Sequence, residues 1–311
     1  MNYLGFDIGG TKCAVILGNE KGEILSKIRF DTVDCNTTVE KLIDAAKELG
    51  GNPVAAGISC GGPLDEKKGI IMSPPNLPGW DNVEITKIIT DRLGIPALLR
   101  NDANACALAE WKFGAGRGSE NMIFLTFGTG LGAGLILDGR LYGGTNGNAG
   151  EVGHMRLNPF GPVGYGKSGS MEGFASGSGI AQLGRTAAME KLQQGMTTGY
   201  CKSFDELDSI TAKTIAESAR LGDETAIEVY KLCGTMLGRG IAVLTDILNP
   251  QKIVIGSIYP RCKDLLSESI DAELKKEALP MSYECVEVVP AQLDEQIGDV
   301  AALSVAMEWK A

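Results

Sequence analysis

One histidine, His154, serves the whole chain of 311 residues. That excludes any site needing two histidines and makes a carboxylate the expected proton acceptor. The eight cysteines (Cys13, Cys35, Cys60, Cys106, Cys201, Cys233, Cys262 and Cys285) form no CxC or CxxC pair. Neither a zinc ribbon nor a redox dithiol is therefore indicated. Several lie in apolar runs and read as small buried hydrophobes. No apolar run is long enough to cross a bilayer. No secretory leader is evident, so the reducing cytoplasm is the expected compartment. Basic side chains are outnumbered, 29 against 39 acidic ones, for a net charge of −10. Such a balance argues against a nucleic-acid-binding surface.

What is present is glycine, 42 residues that cluster rather than spread. Clustered glycines mark loops where backbone must approach a ligand closely. With 44% hydrophobic and 22% charged residues, the composition is that of an ordinary globular protein. The length suggests two domains.

In chain order, a strand enters the turn Gly9-Gly10-Thr11-Lys12, and residues 13–17 return as a second strand. Residues 24–30 continue the meander, and 38–49 show helical spacing closed by Gly50-Gly51. A buried strand at 54–59 ends in Cys60-Gly61-Gly62-Pro63. Residues 70–80 form a proline-rich connection, and 85–93 a helix. After the glycines of 114–118 the opening pattern recurs: a strand at 122–127, the turn Gly128-Thr129-Gly130-Leu131-Gly132, and a return strand at 133–137. This internal repeat is the chief architectural signal. Residues 143–179 read as long, glycine-rich and irregular. Helices are expected at 180–192, 211–221, 224–248, 261–275 and 298–309, with strands at 252–257 and 286–289.

The organising stretch is Arg100-Asn101-Asp102-Ala103-Asn104. It follows an apolar strand expected at 95–99 and precedes a helix. Ligands of α/β proteins bind outside the carboxyl ends of strands. Asp102 there reads as a general base or as an Asx helix cap. Each Gly-Thr turn aims backbone N–H groups and a hydroxyl at one point, which suits phosphate, or is an ordinary hairpin loop. Asp7 beside the first turn suggests Mg²⁺, because a carboxylate repels phosphates unless a cation intervenes. Asn101, Asp102, Glu151, His154 and Glu172 stand as a polar set suited to a polyol, whose hydroxyls donate and accept.

These segments resemble the ROK family of sugar kinases and repressors, in the actin–hexokinase–Hsp70 ATPase superfamily. The likeness runs through residues 7–12, 75–77, 101–105, 126–132 and 151–154. It implies an α/β, two-domain actin-like ATPase (ribonuclease H-like) fold with a central cleft. The expected domains are 1–117, joined by a C-terminal helix at about 296–311, and 118–295, with a hinge near 114–118. It implies ATP- and Mg²⁺-dependent phosphorylation of a hexose, at the 6-hydroxyl, as a glucokinase does. Asp102 becomes the base. Gly62, Asn76, Asn101, Asp102, Glu151, His154 and Glu172 face the sugar. Asp7, Gly9, Gly10, Thr11, Lys12, Thr126, Gly128, Thr129, Gly130, Gly132 and Gly256 face ATP, with Mg²⁺ near Asp7. Other family activities also fit: a kinase for fructose, mannose, allose, N-acetylmannosamine or N-acetylglucosamine, or a non-catalytic sugar-sensing regulator. The family's repressors place a helix-turn-helix ahead of this body, which is not expected here with the first strand at Tyr3. A homodimer with small-molecule ligands, without nucleic acid or membrane, is expected.

The sequence departs from the family at one place. Zinc-binding members carry three cysteines after the histidine. Here those positions are Val163, Tyr165 and Ser170, while Glu172 is retained. No Cys₃His zinc site can form. Loop 155–171 is expected to rely on Pro159, Pro162 and burial of the Phe160 and Tyr165 rings.

Overall fold

The computed structural model describes residues 1–310. Three consecutive strands, β1 (Asn2–Ile8), β2 (Lys12–Asn19) and β3 (Ile24–Asp31), pair antiparallel. Helix α1 (Cys35–Leu49) follows, its first turn capped by the Asp34 carboxylate accepting from Thr37 N. Its apolar face buries Val39, Leu42, Ile43 and Ala46. Next come β4 (Ala56–Cys60), the small hairpin β5 (Leu64–Asp65) and β6 (Ile70–Ile71), α2 (Ile85–Leu93), β7 (Ala97–Asn101) and α3 (Asp102–Phe113). The sheet runs β3-β2-β1-β4-β7, with β4 parallel to both β1 and β7. Phe6, Val15, Ile58 and Leu99 fill the core with α1 and α2.

The second half repeats this order. Strands β8 (Met122–Leu125), β9 (Ala133–Leu137) and β10 (Arg140–Leu141) lead to the hairpin β11 (Val163–Gly164) and β12 (Lys167–Ser168), then β13 (Lys252–Ile255) and β14 (Glu287–Pro290). The second five-stranded sheet runs β10-β9-β8-β13-β14, the same succession as the first. Its helices are α4 (Met171–Phe174), α5 (Gly177–Gln193), α6 (Ala212–Arg220), α7 (Glu224–Leu248), α8 (Ile258–Glu277) and α9 (Pro280–Tyr283). The chain closes with α10 (Ile297–Ala306). Residues 1–124, 134–149 and 292–311 form one compact unit, and residues 125–133 and 150–291 another. No helix among the described residues is long and apolar enough to cross a membrane.

Several expectations meet their elements residue for residue. Helix α7 starts at the Asp223 cap and stops where Asn249 turns left-handed before Pro250. Three do not. The strand expected at 95–99 lies at Ala97–Asn101, two residues later. Its polar end stays extended because Ser59 and Cys60 pair with Arg100 and Asn101. Residues 143–179 are not irregular throughout. They hold a 3₁₀ turn at Val152–His154, the β11–β12 hairpin and α4. The hairpin turns on Tyr165 (φ 42°) and Gly166 (φ 75°), both left-handed as a two-residue hairpin loop requires. The rings of Phe160 and Tyr165 are not buried, with 80% and 76% of their surface exposed.

The glycines of 114–118 are explained by packing. A Cβ on Gly114 would stand 2.0 Å from Glu110 Oε2, and one on Gly116 2.1 Å from Met122 Sδ. Glu110 is fully buried, and its carboxylate accepts from Ala115 N at 2.7 Å, Gln292 N at 2.9 Å and Leu293 N at 2.8 Å. One side chain thus pins the segment after α3 to the segment that leads into α10.

α10 lies directly on the first sheet. A Cβ on Gly57 would sit 2.2 Å from both Ala302 O and Ala306 N. These are backbone atoms that cannot swing aside, so Gly57→Ala must displace the helix. Overpacking of this kind costs ~1–3 kcal/mol or more. Urea denaturation of the Gly57→Ala protein should show that loss as a lowered midpoint; an unchanged midpoint would contradict the packing described.

Candidate active site

In the first unit, the turn after β1 is built from its own backbone. Gly9 N donates to Lys12 O at 3.1 Å, and Thr32 Oγ1 donates to Gly9 O at 2.7 Å. Gly10, Thr11 and Lys12 are exposed. A Cβ on Gly10 would fall 2.4 Å from Asn76 O, so only glycine lets the 74–77 turn lie against this one. The Asn76 side chain lies beside Gly61, 3.7 Å from where a Cβ would be, and that of Asn101 lies beside Gly62, at 3.6 Å. Gly9, Gly10, Gly62, Asn76, Asn101 and Asp102 thus fall on one connected stretch of this unit.

At the β7-to-α3 handover, Asn101 is the helix cap. It has extended backbone (φ −58°, ψ 148°) and its Oδ1 accepts from Ala103 N at 2.9 Å. Asp102 is the first helical residue, exposed, with Oδ1 2.8 Å from the same Ala103 N. The capping role proposed for Asp102 thus belongs to its neighbour. Sequence reasoning passed over Glu66, whose Oε1 accepts from Asn101 N at 2.8 Å and from Asn104 Nδ2 at 3.1 Å. It lies in a charged turn that reads as solvated surface, and nothing in its local sequence marks it.

Asp7 carries a clear electrostatic signal. Burial, then the Asp299 carboxylate, pushes its pKa up from 3.8 to about 6, with a smaller push from Asp102. Lys27 and Arg29 oppose this, but Lys27 is already paired with Asp299 at 2.5 Å. A surplus of negative charge beside a phosphate-type turn is ground that fits a divalent cation. Among the described residues no three His, Cys, Asp or Glu side chains converge as a metal-binding group. Asp7 is the side chain here that would hold Mg²⁺, with phosphate oxygens and water as the other partners this ion commonly takes.

In the second unit, the 126–132 turn closes on itself: Gly132 N donates to Thr126 Oγ1 at 2.9 Å, and Gly128 N to Gly130 O at 3.1 Å. The amino end of α5 grips it, with Gly177 N on Gly128 O at 2.7 Å and Ser178 Oγ on Thr129 O at 2.8 Å. Gly256 N donates to Leu125 O, and Ile258 N to Phe127 O, which brings the exit of β13 to the same turn. Glu172 joins it from the other side. Its Oε2 accepts from Leu131 N at 3.0 Å and would lie 2.8 Å from a Cβ on Gly130. Glu151 is exposed and opens the 3₁₀ turn that carries His154.

The three residues at the cysteine positions have each taken another role. Tyr165 meets the His154 ring edge-on, with centroids 5.2 Å apart at 80°. Val163 is clasped by Gln182, which accepts from its N–H at 3.0 Å and donates to its carbonyl at 2.9 Å. Ser170 is buried and caps α4 through Gly173 N at 3.1 Å.

The raised Asp7 pKa fixes a sign for pH dependence. Folded Asp7 holds its proton to about pH 6, and the unfolded chain releases it near 3.8. Between these values the unfolded state is the more ionised, so native stability falls as pH rises through the window and stays lower above it. In metal-free protein, Asp7→Asn should raise stability at pH 7 by up to ~3 kcal/mol, with the gain vanishing near pH 4. Denaturant titrations at the two pH values measure this; an equal difference at both would refute it.

The likeness to known proteins is end to end. The ROK family model matches residues 3–308. A glucokinase of Thermotoga maritima is 32% identical over 314 residues, covering 99% of this chain and 98% of that protein. A solved ROK family glucokinase of Streptomyces griseus, in complex with glucose and AMPPNP, has a TM-score of 0.77 and 29% identity, over 99% of this chain and 100% of that one. A xylose repressor of Caldicellulosiruptor bescii is 30% identical over 274 residues, 82% of this chain and 65% of the repressor. The mixed α/β architecture is that of the actin-like ATPases, and the chain belongs to the ROK family.

Proposed function

We propose that this chain is an ATP-dependent hexose kinase of the glucokinase type, transferring the γ-phosphoryl group to the sugar 6-hydroxyl. The observation that carries the reading is the handover at β7. Asn101 caps the helix, and the exposed Asp102 opens that helix at the strand end, next to the Asn101 side chain that lies against Gly62. Phosphoryl transfer to a hydroxyl requires positioning, a base and charge stabilisation, with no covalent intermediate. In this reading Asp102 takes the hydroxyl proton as the sugar oxygen bonds to the γ-phosphorus and the bond to ADP breaks. Asn101, Glu151, His154 and Glu172 hold the other hydroxyls. The turns at Gly9–Lys12 and Thr126–Gly132 hold the phosphates, assisted by Lys12. Mg²⁺, when bound beside Asp7, supplies neutralisation of phosphate charge.

The repressor relative supports a second reading, a sugar-sensing regulator without turnover. The full-length similarity to glucokinases and the retained Asp102 and phosphate turns favour catalysis. A coupled ADP-release assay across glucose, mannose, fructose, allose, N-acetylmannosamine and N-acetylglucosamine separates the two and selects the sugar. No ADP release with any of them would remove the kinase reading. Asp102→Asn should leave the fold and sugar binding intact and lower kcat at least ~10²-fold, the effect of losing a general base; a variant keeping most of its turnover would displace Asp102 from that role.

Loop 155–171 is proposed to function without zinc, since Val163, Tyr165 and Ser170 offer no thiolate. The protein should purify without stoichiometric zinc and keep its activity when a zinc-selective chelator is removed and only Mg²⁺ returned. One tightly held zinc per chain by elemental analysis would overturn this.

A further inference from the structure

Glu66 lies in the β5–β6 hairpin, 35 residues before Asn101 in sequence, and only 8% of its side chain is exposed. We propose that it is a positioning residue for the acceptor side of the site, acting through Asn101 and Asn104 on Asp102; this rests on the kinase reading. One carboxylate oxygen takes two donors, Asn101 N at 2.8 Å and Asn104 Nδ2 at 3.1 Å. They flank Asp102, one residue before it and two after. β7 is the edge strand of its sheet, so no neighbouring strand lies outside it to take up Asn101 N. Asn104 is 2% exposed and its Oδ1 has no hydrogen-bond partner. The bond to Glu66 is therefore what sets the direction of that amide.

The other oxygen of Glu66 stands 3.6 Å from an Arg100 guanidinium nitrogen, and Arg100 Nε donates to Glu308 at 2.8 Å. Glu66 is thereby held from behind by Arg100, which is itself anchored beyond α10. It is a fixed strut across the first turn of α3. Removing it leaves a strand N–H and a buried amide unpaired in the turn that aims Asp102 and the Asn101 side chain. A shift of about 1 Å in such a turn is enough to cost ~10²-fold in rate. The effect is expected on the sugar, because the strut's two donors, Asn101 N and Asn104 Nδ2, flank Asp102.

The test is steady-state kinetics of the full chain with the hexose that the wild type turns over best. Glu66→Ala should lower kcat/KM for the hexose ~30-fold or more while KM for ATP stays within ~2-fold. Glu66→Gln, which keeps the accepting oxygen, should stay within ~3-fold of wild type on both. A purely structural role would shift both substrates alike in step with Tm, and that pattern, or an unaltered Glu66→Ala enzyme, overturns the proposal. Should Glu66→Ala fail to fold, Glu66→Asp carries the test. One methylene shorter, it cannot reach both donors and should lose ~10-fold on the hexose alone; no loss refutes the strut. A wild type that releases no ADP with any hexose overturns the kinase reading and this inference with it, whereas an active wild type beside an unaffected Glu66→Ala overturns only the inference.

Discussion

Backbone lies on backbone where α10 crosses the first sheet. Gly5 and Gly57 have no room for a side chain beneath Ala302, and Gly18 has none beneath Leu303. The helix answers with Ala301, Ala302, Val305 and Ala306, all buried. This close approach fixes both ends of α10 next to residues that the proposed function employs. At its amino end Gly298 and Asp299 press on Asp7. Just past its carboxyl end Glu308 holds Arg100, which faces Glu66 and through it the turn bearing Asp102. A small-residue stripe thus sets the geometry around Asp7 and around Asp102 together.

The surroundings of Asp7 and loop 155–171 are held by different means. Around Asp7 the arrangement is electrostatically unfavourable by itself, with its half-buried carboxylate, the buried Asp299 carboxylate and one ion-paired lysine. Such an arrangement suits a site that would gain a cation with its substrate. Loop 155–171 is the reverse case, a satisfied structure assembled from small contributions. A structural zinc contributes ~10–16 kcal/mol in small domains that fold around it. A helix cap is worth ~1 kcal/mol and a hydrogen bond ~1 kcal/mol. The Ser170 cap, the Gln182 clasp and the Tyr165–His154 edge contact together fall short of a metal clip. They need only orient a loop, because the surrounding unit folds on a core of its own.

What the sequence disclosed follows from what periodicity and punctuation carry. Helix α7 was legible to the residue because its apolar period ends at an Asn-Pro stop. The repeated strand, Gly-Thr turn and strand announced two sheets of one strand order. The end of β7 was misplaced because Arg100 and Asn101 are polar, and what keeps them extended is pairing to β4 and a bond to Glu66, neither of which a local window contains. The β11–β12 hairpin was missed because Tyr165 occupies a left-handed position where Asn or Gly is the usual signal. The outward Phe160 and Tyr165 rings failed an expectation drawn from hydrophobicity alone. Of the site, the residue types were visible and their neighbours were not: Asp299 beside Asp7 and Glu66 beside Asn101 are separated from them by 292 and 35 residues in sequence.

The discontinuous first unit also bears on biosynthesis. Its sheet emerges first from the ribosome, yet the helix that covers one face is encoded after every other element described here. At ~5–20 residues per second, translation of the intervening ~200 residues leaves that glycine-lined face bare for roughly 10–40 s. The second unit, contiguous from residue 150 to residue 291 apart from its short excursion at 125–133, has all its segments available before α10 exists. The half of the molecule that is read first is therefore the half that is finished last, and a nascent chain stalled before residue 297 would present an unfinished sheet to the cell's chaperones.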